Sequence, residues 1–473
     1  MASGLDRRAL PAWLAATALS ALGWWFGSGL HPLWWLTWIA PLPVLWLAPR
    51  VRAHWAALAA LVAYTIGGLD LWTYARVDLG LPLVVILCLL FEPALVLALC
   101  ALLFRRLLLR GKPMAAVLSV PALWVSAEYL YNLVSPHGTW GNIAYTQMDV
   151  LPVIQVAAVT GLWGVGFLVL LLPATIAAQA MPRGTRPVRV TTTAVALSLI
   201  AVALIYGVFR LQAPATSVLR IGLASLEKPV QPSLSAAAGH ALEVRYASVI
   251  QRLASEGARI VVIPETSFST ASPTVPAFAQ LARQQDLILD TGIDFKGDPQ
   301  ARRNMSMAFQ PGLAMPATYN KHHLLPGLDP YTPGQTYRML DGTPRIGLAI
   351  CKDMDFHDIG HAYASRGAQL LLVPADDFTV DGWLHSRMSI MRGVESGFAI
   401  ARAARKGRLT LSDDRGRVLA EASSEGRDAE LVGDLPLRAT RTLYARWGDW
   451  FVWLNLALLA TLLLVALPGR RTD

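Results

Sequence analysis

Apolar stretches of roughly 17 to 25 residues, each long enough to cross about 30 Å of hydrocarbon, recur along the N-terminal half of this sequence and once more at its end. They fall at about 9–26, 31–48, 55–74, 81–104, 114–134, 152–180, 190–210 and 449–467. A segment in lipid has no water for its backbone N–H and C=O groups, so a single apolar run of this length reads as a helix. The 473 residues are 54% hydrophobic and 15% charged, too apolar for an ordinary soluble enzyme. The fold class that follows is a membrane α-helical bundle of eight spans with an inserted, exported domain. Its expected parts are a seven-span region at 1–213, a folded insert at 214–445, and the eighth helix with its tail at 446–473.

The formal charge of +9 reads as a topology signal and excludes nucleic acid as the expected partner. Arg7, Arg8, Arg50, Arg52, Arg105, Arg106, Arg110, Lys112, Arg183, Arg186, Arg189, Arg470 and Arg471 lie at every second span boundary, whereas Arg76 stands alone in the intervening short loops. Both termini are thereby expected in the cytoplasm and the insert on the outer face, the periplasm in a bacterium. The first span begins with a basic pair like a secretion signal, but no persuasive cleavage site follows and it reads as retained. Cys88 and Cys100 are about 18 Å apart along one helix, too far to bridge. Cys351 is the one cysteine outside the spans, a free thiol in an oxidising compartment.

Within the insert, short runs rich in Val, Ile and Leu (218–224, 260–264, 287–292, 305–309, 346–350, 370–373, 399–401) alternate with helical stretches at 241–256 and 276–285. The pattern is α/β with a buried sheet; it fits a layered sandwich or a Rossmann-like sheet, and no Gly-rich phosphate loop is present. Cys351 and Glu265 each end a predicted strand, and Lys321 lies in Tyr319-Asn-Lys-His-His-Leu-Leu-Pro326. A thiol nucleophile, a carboxylate base and a cation for an oxyanion are what acyl transfer through a covalent intermediate needs, without metal or organic cofactor.

The motifs Pro264-Glu265-Thr266, Tyr319 to Pro326 and Ile350-Cys351-Lys352-Asp353, in this order, resemble the carbon-nitrogen hydrolases of the nitrilase superfamily. With the membrane frame, and with Gly138 to Asn142, Leu151 to Gln155, Arg366 to Ala368 and Arg392 to Glu395, the chain is similar to the apolipoprotein N-acyltransferase family. The resemblance implies a nitrilase-like α-β-β-α sandwich in the bacterial inner membrane, with Glu265, Lys321 and Cys351 as a catalytic triad. It implies a phospholipid as acyl donor and the N-terminal diacylglyceryl-cysteine of a lipoprotein as acceptor.

Several positions depart from the family pattern. Asp329 stands where a glutamate is expected and would support Lys321 with a shorter reach; Lys352 and Asp353 replace an aromatic residue and a glutamate. Lys352 has three readings: it lowers the thiol pKa, binds a lipid phosphate or pairs with Asp353. The early tryptophan is absent from 229–238, and Arg405-Lys406-Gly407 replaces Asn-Thr-Gly. These departures keep open a membrane-tethered amidase or acyltransferase with another acceptor, and a non-catalytic protein that binds lipid or a partner. Phe378, Trp383 and Met388 lie in a stretch, 378–391, that in the family acts as a lid, and Glu395 is read as a supporting partner. His357 and His361, four apart, read as polar helix surface before they read as zinc ligands. Among Asp70, Glu92 and Glu128 in the spans, Glu128 with Asn132 is the best interior polar contact.

Overall fold

The computed structural model describes residues 8–181, 183–228, 231–298 and 300–468, so Arg7, Arg470 and Arg471 of the charge pattern lie outside the described residues. The chain divides into two compact units: Met1–Val134 with Gly141–Phe209 and Asp449–Asp473, and Ser135–Trp140 with Arg210–Gly448.

The first unit is helical. Among the described residues, five helices are long and apolar enough to cross a membrane: Ala53–Leu71, Leu83–Leu109, Pro113–Val134, Leu162–Gln179 and Arg186–Leu211. Helices Leu10–Gly27 and Trp450–Ala466 cover the first and last expected spans. Two expected spans are not continuous helices. The stretch 31–48 contains two short helices, Trp34–Thr37 and Leu42–Leu47, because Pro41 and Pro43 lack the N–H groups that would carry one helix through. The stretch 152–180 breaks at Gly161, whose φ of +69° ends Ala157–Thr160 and precedes Leu162–Gln179.

Backbone groups freed at the first break are satisfied by a buried polar knot, as non-helical backbone in an apolar unit requires. Gln147 donates to the carbonyl of Trp34 at 3.0 Å and to Thr37 at 2.8 Å, and accepts from the Trp38 indole at 2.7 Å. Glu128 accepts from Asn142 Nδ2 at 2.8 Å and from the Ile143 N–H at 2.9 Å. Its partner is thus the loop after its helix rather than Asn132.

The second unit contains two six-stranded sheets. The strands are β1 (Ser217–Ser225), β2 (Ile260–Thr270), β3 (Ile288–Phe295), β4 (Arg303–Phe309), β5 (Ala317–Asn320), β6 (Arg338–Met339), β7 (Ile346–Leu348), β8 (Leu370–Asp376), β9 (Ala399–Arg405), β10 (Arg408–Ser412), β11 (Val418–Ser423) and β12 (Ala429–Leu437). One sheet runs β12-β1-β2-β3-β4-β5 and the other β11-β10-β9-β8-β7-β6. In each, three parallel strands form the centre (β1-β2-β3 and β7-β8-β9), flanked by antiparallel pairs.

The central strands are apolar on both faces because both faces are covered. On β8, Leu370 and Leu372 join Ile221, Val262, Leu348 and Leu411 in a core shared by the two sheets. Leu371 and Val373 point the other way, to Ile359 and Tyr363 of helix His357–Ser365. Val261 and Ile263 of β2 meet helices Ala237–Ser255 and Pro276–Gln285 in the same manner. The order is helix, sheet, sheet, helix, which resolves the sequence-level choice in favour of the layered sandwich.

Candidate active site

Glu265 sits in a break of β2. Ile263 pairs with Thr291 and Phe268 with Ile293, so Pro264 to Ser267 bulge opposite Gly292 alone. Pro264 has no N–H to give the ladder, Thr266 adopts a φ of +44°, and Ser267 Oγ closes the turn on the Pro264 carbonyl at 2.8 Å. Gly292 is required there: a Cβ on it would lie 2.3 Å from the Glu265 Cα. The bulge turns the Glu265 carboxylate into the protein, where it is 4% exposed.

Lys321 follows β5, and its Nζ lies 2.8 Å from Glu265 Oε1 and 2.8 Å from Asp329 Oδ2. Asp329 is held in turn by the Leu325 N–H at 2.9 Å. Asn304 on β4 ties the pair together: its Nδ2 donates to Glu265 Oε1 at 2.5 Å and its carbonyl accepts the Lys321 N–H at 2.9 Å. Burial works against the Lys321 charge, but Glu265, Cys351 and Asp329 outweigh it and raise its pKa well above the usual lysine value. Burial raises Glu265 above the ordinary carboxylate range, with Lys321 opposing.

Cys351 opens the 3-10 turn Cys351–Asp355 after β7, with a left-handed φ of +41° that a side chain tolerates only when its surroundings impose it. Asp353 imposes it. Fully buried, its carboxylate accepts from the Ile350 N–H at 2.9 Å, Tyr319 Oη at 2.8 Å, and the His322 and His323 N–H groups at 3.0 and 2.9 Å. One side chain thereby joins the cysteine turn to the segment that follows Lys321. Burial and then the Glu265 charge raise the Cys351 thiol well above its usual pKa, while Lys321 and Arg402 oppose. Burial thus favours the protonated form of both the thiol and the Glu265 carboxyl, and the Cys351 Sγ donates to the Asp376 carbonyl at 3.6 Å. Arg402 is fixed by a buried two-point pair with Asp377 at 2.9 and 2.5 Å.

The remaining sequence candidates separate. Lys352 does not pair with Asp353; its Nζ is 3.4 Å from Asp355 Oδ2 and 3.3 Å from His137 Nδ1, because the 3-10 turn brings residue i+3 to it and leaves Asp353 facing inward. Met388 is fully buried, as are Leu384, Ile390 and Met391, so helix Gly382–Ser396 carries them as core and not as an open lid face. Phe378 is partly exposed before that helix, and Trp383 lies under the Arg387 guanidinium at 5.3 Å. Glu395 is buried in an ion pair with Arg392 of its own helix at 2.7 Å, a tie within the helix layer. His357 and His361 pack edge to face, and no group of three or more His, Cys, Asp or Glu side chains among the described residues gathers as a metal site. Sequence reasoning missed Asn304, Gly292 and Arg402; a polar Asn just before the apolar run 305–309 was the available signal for the first.

Two regions of the chain match known families: residues 11–175 match the apolipoprotein N-acyltransferase N-terminal domain and residues 230–445 the carbon-nitrogen hydrolase domain. An apolipoprotein N-acyltransferase from Geobacter metallireducens is 26% identical, over 94% of this chain and 92% of that protein. One from Gloeobacter violaceus is 28% identical over the same shares. A human omega-amidase is 28% identical over 41% of this chain and 82% of its own length. Among solved structures, an amidase from Nesterenkonia sp. AN1 aligns with a TM-score of 0.41 and 23% identity, over 50% of this chain and 99% of that one.

Proposed function

This chain belongs to the apolipoprotein N-acyltransferase family, and we propose that it moves a fatty acyl chain from a phospholipid, through a thioester on Cys351, to the N-terminal amine of a diacylglyceryl-cysteine lipoprotein. The observation that carries this reading is the buried Lys321 ammonium, 2.8 Å from both Glu265 and Asp329, in a hydrolase domain joined in one chain to an acyltransferase N-terminal region. Glu265 takes the Cys351 proton as the sulfur attacks the ester carbonyl carbon. Lys321 and the N–H of Lys352 hold the oxyanion. The ester C–O bond then breaks, and Glu265 returns the proton to the lysophospholipid alkoxide. In the second half, the lipoprotein amine attacks the thioester carbon, Glu265 takes its proton, the C–S bond breaks, and the proton goes back to sulfur.

The departures from the family pattern have local accommodations that support this reading over a different acceptor. Asp329 reaches Lys321, Asp353 holds the cysteine turn, and the Lys352 charge is turned to Asp355. The setting is the bacterial inner membrane with eight passes, both termini cytoplasmic and the 214–445 domain periplasmic, a topology supported by the alternation of basic loops.

The test is intact-mass analysis of the detergent-purified chain and of Cys351→Ala after incubation with phosphatidylethanolamine, followed by a diacylglyceryl lipopeptide. A hydroxylamine-labile acyl adduct on the parent alone, discharged as the lipopeptide gains an acyl chain, is expected. An adduct that the lipopeptide cannot discharge overturns the acceptor, and no adduct overturns the donor.

A further inference from the structure

The residue after the nucleophile is a buried cation, and its partners form a line of alternating charge. Lys352, 6% exposed, faces Asp355; Asp355 Oδ1 is 3.8 Å from His385 Nδ1; His385 Nε2 is 3.1 Å from Asp381 Oδ2; and Asp381 Oδ1 accepts the Phe378 N–H at 3.0 Å. Burial opposes charge on His385, but Asp381 and Asp355 raise it to about 10, so its imidazolium is held between two carboxylates. Asp381, at the far end, also faces the Arg402 guanidinium.

The segment 135–140 closes on the Lys352 end of this row. Thr139 donates its N–H and its hydroxyl to the Asp355 carbonyl at 3.0 and 2.8 Å. Gly138, at φ +54°, lies so near the same carbonyl that a Cβ would stand 2.5 Å from its oxygen. His137 Nδ1 lies 3.3 Å from Lys352 Nζ, and an ammonium has only donors, so the imidazole nitrogen is the acceptor and the ring is neutral when docked. The charged groups facing His137 are Lys352 and Asp355, with His385 and Asp381 behind them; on its own segment its backbone N–H is taken by Ser135 Oγ at 3.1 Å.

We propose that Lys352 is a positioning residue for Cys351, clamped between Asp355 and a neutral His137, and that protonation of His137 releases the 135–140 segment and unfastens the nucleophile turn. A second positive charge at 3.3 Å from the ammonium would repel it and remove the lone pair that Lys352 uses. Burial and the Lys352 charge both hold docked His137 below the ordinary imidazole value, Asp355 opposing. A pKa lowered by docking means that docking is favoured at high pH and weakens as pH falls through the undocked value of about 6.5. The effect on acylation rests on the acyltransferase reading; the docking does not.

The test is hydrogen exchange of the 135–140 amides in the detergent-solubilised full chain from pH 5 to 8, normalised for intrinsic rates, alongside thioester formation from phosphatidylethanolamine. Protection in the parent is expected to fall below about pH 6.5 and to stay level in His137→Gln, which keeps an acceptor but does not titrate. Lys352→Met is expected to lose protection at every pH and to slow thioester formation about 10- to 100-fold, with Lys352→Arg restoring both. Parent protection that ignores pH, or a Lys352→Met rate equal to the parent's, overturns the proposal. Protection that follows pH in a chain that forms no thioester sinks the donor assignment and leaves the clamp standing.

Discussion

The two sheets of the sandwich share one plan of three parallel strands and antiparallel flanks, yet each prepares its reactive residue differently. The first presents Glu265 by deforming backbone: four residues of β2 crowd over one glycine of β3. The second presents Cys351 by a left-handed turn that one carboxylate, Asp353, holds with four hydrogen bonds. The proposed base depends on the absence of a side chain and the proposed nucleophile on the presence of one, so opposite kinds of substitution should disable them.

The largest effect is expected from Cys351→Ala, which removes the acyl carrier; transfer should fall by on the order of 10³ or more while the thermal unfolding midpoint stays near that of the parent. Gly292→Ala breaks the first device. Its Cβ, 2.3 Å from the Glu265 Cα, forces the bulge to move, and acylation should drop about 100-fold with a loss of about 1–3 kcal/mol in stability, read by denaturant unfolding. Asp353→Ala breaks the second by leaving four buried donors without their acceptor; about 3 kcal/mol or more should be lost, and acylation should fall about 10- to 100-fold in molecules that remain folded. Asn304→Ala is milder, about 10-fold, because Lys321 still fixes Glu265 Oε1.

The smallest change sharpens the comparison by titration alone. Because Glu265 is raised above the carboxylate range, acylation should rise with pH along a limb lying above pH 4.5 as the base sheds its proton. A raised folded pKa for an acid also means that its contribution to stability is greatest below the unfolded value and is lost as pH rises through the folded one. The pH-rate profile and the unfolding midpoint should therefore run in opposite directions across that limb. A limb at or below the value of a free glutamate would mean that Glu265 is better hydrated than its geometry shows.

Glu265 and Cys351 were legible in sequence because each follows a short apolar run, where a charged or thiol residue stands out, and Lys321 through the motif Tyr319 to Pro326. Gly292 and Asn304 were not. Their importance comes from the neighbouring strand they face, and pairing register is not written in either strand singly. The strands β11 and β12 also escaped notice, since they are half exposed and lack the continuous apolar runs of the central strands. In the helical unit, the apolar run 31–48 contains Pro41 and Pro43, whose effect on its continuity went unread, so two short helices read as one continuous helix. The charges at Asp353 and Lys352 were visible as departures, but which acid Lys352 meets depends on the turn it occupies, and i+3 proved nearer than i+1.

The raised pKa of the Cys351 thiol has a bearing on chemical durability. Peroxide and mixed disulfides react with thiolate, so a sulfur whose burial disfavours the thiolate should be a poor target between turnovers. The burial that raises the Cys351 pKa should thereby also slow its sulfenylation. Hydrogen peroxide should inactivate it slowly, and faster as pH rises, which a mass shift of one oxygen on Cys351 would record.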